Sequence, residues 1–151
     1  MEYNNIKQRI NRCPDLSGLD ESSAAALFWR GDEQVLDHGA VVYAEDAPLD
    51  HTFCLLLSGD LIVEKSGNII GGIFEQELFG EMAYFTNQRI RTATVRVGSD
   101  RAVIMKFRLS PAELASERFA ALRGCLARQT WDRFVSTSQN AGDGSEMVTT
   151  A

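Results

Sequence analysis

Between residues 40 and 74 the chain offers four short β-forming runs: 40–43 (Ala-Val-Val-Tyr), 52–57 (Thr-Phe-Cys-Leu-Leu-Leu), 61–65 (Leu-Ile-Val-Glu-Lys) and 69–74 (Ile-Ile-Gly-Gly-Ile-Phe). Turn formers stand between them, so no stretch there is long enough for a stable helix. This texture confines the middle of the chain to an all-β barrel or sandwich. Ser58-Gly59-Asp60 and Ser66-Gly67-Asn68 are short connections, and each predicts an antiparallel hairpin between the runs it joins. A further run at 102–107 (Ala-Val-Ile-Met-Lys-Phe) closes the sheet. Gly71-Gly72 inside a strand marks a bulge or a close backbone approach.

Helices flank this β region. Residues 6–36 hold two weak helical stretches, one broken at Cys13-Pro14 and one opened by Asp20-Glu21-Ser22-Ser23, and Trp29 is expected as a core anchor of this cap. Ser110-Pro111-Ala112-Glu113 is a capping box with Pro at the first helical position. The helix it starts is expected to run to about Val135, because Gly124 is the only breaker on the way. Its apolar residues form an early stripe (Ala115, Phe119, Leu122, Leu126) and a late one (Ala120, Ala127, Trp131, Phe134). The expected division is 1–36 helical cap, 37–109 β-barrel, 110–137 C-terminal helix serving as lid or dimer element, and 138–151 a disordered tail.

Charge narrows the function. The formal net charge is -6 with a pI near 4.9, which argues against nucleic acid, since a phosphodiester backbone needs a basic face. Cys13, Cys54 and Cys125 lack metal-ligand spacing and read as buried or incidental thiols of a reducing compartment. No apolar run reaches 18 residues and the N-terminus does not resemble a signal sequence, so the cytoplasm is the expected location and no membrane partner is expected. Two histidines, His38 and His51, are too few for a metal site on a β-barrel, so no metal or other cofactor is expected. The serines in turns have no histidine at a motif spacing. An enzyme is not expected.

One stretch carries chemistry. Phe79-Gly80-Glu81-Met82-Ala83-Tyr84-Phe85 sets a glycine and an acid before a short apolar segment able to make one or two helical turns. The first amides of such a segment face an anion. Arg91 then opens an alternating run (Thr92, Thr94 and Arg96 against Ala93, Val95 and Val97) that reads as a strand leaving the same loop. A guanidinium there can reach the spot the helix start faces, making a phosphate cradle with an Arg fork. Glu81 beside a phosphate needs another task, and accepting from a sugar hydroxyl is one. Arg89 lies on the same face of an extended chain as Arg91, so either can be the phosphate partner.

Phe-Gly-Glu-Met-Ala, a short loop, then Arg-Thr-Ala-Thr-Val resembles the phosphate-binding cassette of cyclic nucleotide-binding domains, the family of the catabolite activator protein and the regulatory subunits of cyclic AMP-dependent kinase. The resemblance extends from about Gly39 to Phe107, with Gly59 matching the glycine of the family's central hairpin. It implies an antiparallel jelly roll (double-stranded β-helix) with N-terminal helices, a short cassette helix and a long C-terminal helix. It implies that Phe79 and Gly80 open the cassette, that Gly80 and the amides of Met82 and Ala83 meet a cyclic phosphate, that Glu81 takes the ribose 2′-hydroxyl, and that Arg91 pairs with the phosphate. Arg91, rather than Arg89, directly precedes the matching Thr92-Ala93. The kinase-type cassette usually carries Pro directly before its Arg; this chain has Asn87-Gln88-Arg89-Ile90 there. Thr92 is placed to meet a phosphate oxygen or the base edge, leaving cyclic AMP and cyclic GMP both open as ligand. The late stripe, Trp131 and Phe134 with Arg133 nearby, is expected to cover the purine.

The expectation is a stand-alone cyclic nucleotide receptor, without a DNA-binding domain, that signals through its C-terminal helix to a protein partner or a second copy, a homodimer through that helix being one form. The rival is a protein-interaction module with a vestigial, ligand-free pocket.

Overall fold

The computed structural model describes residues 8, 10, 12–86 and 89–141. Its described elements are a 3-10 turn (Pro14–Leu16), α1 (Glu21–Phe28), β1 (Gly31–Asp37), β2 (Val41–Tyr43), β3 (Thr52–Ser58), β4 (Leu61–Lys65), β5 (Asn68–Ile73), β6 (Leu78–Phe79), a cassette 3-10 turn (Glu81–Tyr84), β7 (Thr94–Val97), β8 (Arg101–Arg108), α2 (Pro111–Ala115), a 3-10 turn (Glu117–Phe119) and α3 (Ala120–Ala141). The strands form two four-stranded antiparallel sheets, in orders β1-β8-β3-β6 and β2-β7-β4-β5. This is the mainly β jelly roll with flanking helices that the sequence implied.

β3 explains why part of the chain lacks alternation. Phe53, Leu55 and Leu57 face a core shared with the helices, while Cys54 and Leu56 face the core between the sheets. A strand covered on both faces is apolar at successive positions rather than every second one.

The two predicted hairpins fare differently. β4 and β5 pair across Ser66-Gly67-Asn68, with a register shift opposite the Val63/Glu64 step that fits a bulge near Gly71. β3 and β4 do not pair, because β3 lies between β8 and β6 in one sheet and β4 lies in the other. Ser58-Gly59-Asp60 is a crossing between sheets rather than a hairpin turn. Gly59 is needed there: its φ is 94°, and a Cβ would lie 2.6 Å from the Arg101 carbonyl oxygen.

Two helical expectations are corrected. β1 begins at Gly31, inside the stretch read as cap, and pairs with β8 from Gly31↔Phe107 to Asp37↔Arg101. Its polar Asp32-Glu33-Gln34 hid it, since tertiary pairing and not side-chain pattern makes it a strand. α1 forms where expected, with Asp20 accepting from the Ser23 amide at 2.8 Å, but Trp29 at its end is 78% exposed and is no core anchor.

The C-terminal helix is also not continuous from Pro111. The Ser110/Glu113 capping box is present, yet α2 ends at Ser116, whose ψ of 158° is extended. The Ser116 hydroxyl donates back to the Glu113 carbonyl at 2.6 Å, and Arg123 donates to the freed carbonyls of Leu114 and Ser116. Such local side-chain bonds compete with helix, which propensity alone does not reveal. Beyond the break, Phe119, Leu122 and Leu126 are buried, whereas Ala120, Ala127 and Trp131 face outward.

Candidate ligand cradle

β6 pairs with β3 at Cys54↔Phe79, which fixes where the cassette leaves the sheet. The chain then turns at Gly80, φ 86°, into the single 3-10 turn Glu81–Tyr84. A Cβ at Gly80 would stand 2.9 Å from Cε2 of Tyr43, so both the left-handed backbone and the close approach call for glycine. Glu81 is fully buried. The turn is shorter than the one or two helical turns expected, so its own dipole is small.

Arg91 reaches this place from the opposite side. Its backbone is held by the Ala47 carbonyl (2.8 Å) and the Asp46 amide (2.9 Å). Its side chain runs inward, only 3% of the residue being exposed. Nη1 donates to the Gly80 carbonyl at 3.1 Å; Nη2 donates to Asp50 Oδ1 at 2.9 Å and to the Thr52 carbonyl at 3.0 Å. The Tyr43 ring covers the guanidinium with its centroid 3.7 Å from Cζ. Among the described residues, Nε of Arg91 has no hydrogen-bond partner.

A proton chain orders the surroundings. Thr52 Oγ1 donates to Asp50 Oδ1 at 2.6 Å, so the Tyr43 hydroxyl, 2.8 Å from Thr52 Oγ1, donates to it. The Tyr43 oxygen also lies 3.3 Å from Cys54 Sγ. Desolvation pushes Tyr43 well above the ordinary phenol range, with the neighbouring Cys54 adding to the rise, and burial pushes the Cys54 thiol up to about 12. Both are neutral at physiological pH. For Asp50, desolvation acts to raise the pKa, but hydrogen bonds from Thr52 and Arg91 and the charges of Arg91 and Lys106 together outweigh it and hold the carboxyl below its usual range. The Arg91 charge is therefore already met by one carboxylate.

Gly80, Glu81 and Arg91, predicted apart in sequence, converge at this spot. Phe79 is buried and meets Tyr43 edge-on at 6.0 Å; Ala93 is buried between the sheets and Thr92 half-buried beside it. Met82 and Ala83 are partly buried on the turn. Arg89 does not join Arg91. It is exposed and faces a different cavity, with His51. Trp131, 64% exposed, lines an apolar cavity of about 350 Å³ with Met82 and Phe85 of the cassette and Thr130 of α3. The side chains of Phe134 and Arg133 lie outside the described residues. α3 is held to the cassette strand by Gln129 Nε2, which donates to the Leu78 carbonyl at 3.1 Å.

Sequence reading missed Tyr43, Asp50 and Thr52. Tyr43 ends an apolar run and gave no signal. Asp50 and Thr52 flank His51 in a stretch otherwise read as loop and strand start, where only a lone acid before a β-branched hydroxyl hinted at a polar cluster.

The described residues contain no group of three or more His, Cys, Asp or Glu side chains able to hold a metal ion, and no helix long and apolar enough to cross a membrane. Comparison with known proteins gives one family match: the model described as cyclic nucleotide-binding domain aligns with residues 33–111, more than half of the chain. No curated protein matched. Similar solved structures include cAMP-bound PfPKA-R (141-441), at 18% identity and TM-score 0.64 over 74% of this chain. The sensor domain of the transcriptional regulator DNR from Pseudomonas aeruginosa shares 21% identity, TM-score 0.66, over 82% of this chain and 91% of that one. The regulatory subunit of a cAMP-independent protein kinase A from Trypanosoma cruzi, bound to guanosine, shares 15% identity, TM-score 0.66, over 78% of this chain and 41% of that one. At these identities the likeness is one of fold. The chain spans 38% of the PfPKA-R chain.

Proposed function

The chain belongs to the cyclic nucleotide-binding domain family, and from that premise we propose that it is a regulatory receptor for a cyclic purine monophosphate, cyclic AMP or cyclic GMP, and not a catalyst. The observation that carries this reading is the state of Arg91. Its fork is positioned by Asp50, Thr52 and Gly80, yet a buried Nε–H is left without an acceptor among the described residues. A buried unmade donor costs about 1–3 kcal/mol, and a phosphate oxygen arriving at the cassette removes that cost. Glu81, one residue past the Gly80 turn, is the group for the ribose hydroxyl.

The output in this reading passes through α3. Cassette residues Met82 and Phe85 share a cavity with Ala127, Thr130 and Trp131, so a ligand that shifts the turn shifts the wall of that cavity. Trp131 is then the side chain that closes over the base, and the receiver is a protein partner or a second copy.

A specific observation favours a second reading, a module whose pocket is filled by its own side chains: Arg91 is buried under Tyr43 and neutralised by Asp50. The two part in a thermal unfolding series with cyclic AMP, cyclic GMP and guanosine. Ligand at about 100 times its Kd adds roughly 2.7 kcal/mol of stability. A receptor responds to a cyclic nucleotide at micromolar to sub-millimolar concentration. A self-filled module responds to none, and a response to guanosine alone assigns a nucleoside in place of a cyclic phosphate.

A further inference from the structure

Beside the cassette lies a cavity of about 420 Å³ whose lining includes Ala83 of the cassette turn but none of Gly80, Glu81 and Arg91. Arg89, His51 and Thr86 supply its polar groups, and Leu49, Ala83 and Tyr84 its apolar ones. Among the described residues no carboxylate pairs with the Arg89 guanidinium, and neither the His51 ring nor the Thr86 hydroxyl has a hydrogen-bond partner. The charge balance differs from that at Arg91, where Asp50 already stands opposite the cation.

The frame around these side chains is built. The Leu49 amide donates to the Arg89 carbonyl at 3.2 Å, and Pro48 and Ile90 form an antiparallel bridge beside it. His51 takes a left-handed backbone, φ 58°, and its carbonyl accepts from the Leu109 amide at 3.0 Å. A non-glycine residue held there stores about 1 kcal/mol of strain or more, which packing on both sides must sustain. The Tyr84 hydroxyl is spent on the Leu109 carbonyl at 2.7 Å, so Tyr84 offers the cavity its ring.

We propose that this cavity is a second binding site, for a small phosphate monoester bearing an apolar ring. Arg89 supplies the bidentate fork for two phosphate oxygens, and His51 and Thr86 donate to others. The ring rests on Leu49, Ala83 and Tyr84. The volume suits such a molecule and is larger than a bare phosphate ion needs. Pro111, the first residue of α2, also lines the cavity, so an occupant touches both the cassette and the start of the C-terminal helical segment.

The test uses phenyl phosphate, inorganic phosphate and phenol as probes, read by NMR at the His51 ring, with His38, the only other histidine, as internal control. Expected are a saturable shift at His51 alone with phenyl phosphate, at least tenfold weaker binding of inorganic phosphate, and none of phenol. Arg89→Met should weaken phenyl phosphate at least tenfold, and His51→Asn, which keeps a residue tolerant of the left-handed backbone, should weaken it likewise when read at the Thr86 amide. Equal shifts at His38, no saturation, parity of phenyl and inorganic phosphate, or an unchanged affinity in Arg89→Met would each overturn the site. The same variants are melted with cyclic AMP in parallel. A retained cyclic AMP response with no phenyl phosphate binding sinks this inference alone; a lost cyclic AMP response in the wild type sinks the receptor reading and leaves this one standing.

Discussion

The Tyr43 ring lies over the Arg91 guanidinium, with 3.7 Å between centroid and Cζ, and it is this stack that seals the cradle. Tyr43 also donates to Thr52 and fills the space above Gly80. A phosphate can reach Arg91 only after one of the two side chains gives way. In the receptor reading, Tyr43 is thus both a structural group and a barrier to the ligand.

Tyr43→Leu removes the desolvated cation–π contact, worth about 2 kcal/mol, while keeping apolar volume. Chemical denaturation should show a loss of that order, and cyclic AMP should bind the variant more tightly than the wild type. If affinity drops along with stability, Tyr43 is a ligand-supporting residue and not a barrier.

Asp50→Asn tests the counter-charge. Because the folded-state pKa of Asp50 is depressed, its stabilising effect is complete above the ordinary carboxylate value of about 4 and is lost as pH falls through the lower folded value. Its side chain is 42% exposed, so solvent screening limits the effect to about 1 kcal/mol. Wild type and variant should differ in unfolding midpoint at pH 7 and converge once the pH falls below the depressed folded-state value of Asp50. A difference that stays constant with pH would show that hydrogen bonding, and not charge, holds Arg91.

Trp131 should report on the ligand. Trp29 is 78% exposed, so Trp29→Phe should change stability by no more than about 0.5 kcal/mol and leave Trp131 as the only tryptophan. Cyclic nucleotide should then change the emission, and a chain ending at Arg128 should bind more weakly. Equal binding by the shortened chain would remove α3 from the site.

What the sequence revealed follows the range of the interaction. The β4–β5 hairpin and the Ser110 cap were legible because their determinants sit within a few residues of one another. So was the meeting of Arg91 with the Gly80 turn, though not the chemistry proposed for it. The β3–β4 crossing was not legible, since Ser58-Gly59-Asp60 carries the same turn chemistry whether the next strand pairs or changes sheet; what requires Gly59 is Arg101, distant in sequence. The Ser116 break was hidden by residues that tolerate helix. Least legible was the fate of Arg91: Asp50, 41 residues earlier, and Tyr43 are brought to it by the fold alone, and they turn an expected open fork into a buried one.

The central claim is that Arg91 is the phosphate partner of a cyclic nucleotide receptor. The most direct measurement is a calorimetric titration of cyclic AMP and cyclic GMP into the wild type and into Arg91→Met, with Arg91→Met/Asp50→Asn included so that no unpaired carboxylate confuses folding with binding. The account predicts one saturable site in the wild type for at least one of the two nucleotides, and a loss of about 10- to 150-fold in both variants, the equivalent of a charge-assisted pair worth roughly 1.5–3 kcal/mol. No heat and no saturation in the wild type at millimolar nucleotide, or equal affinity with and without Arg91, would contradict it.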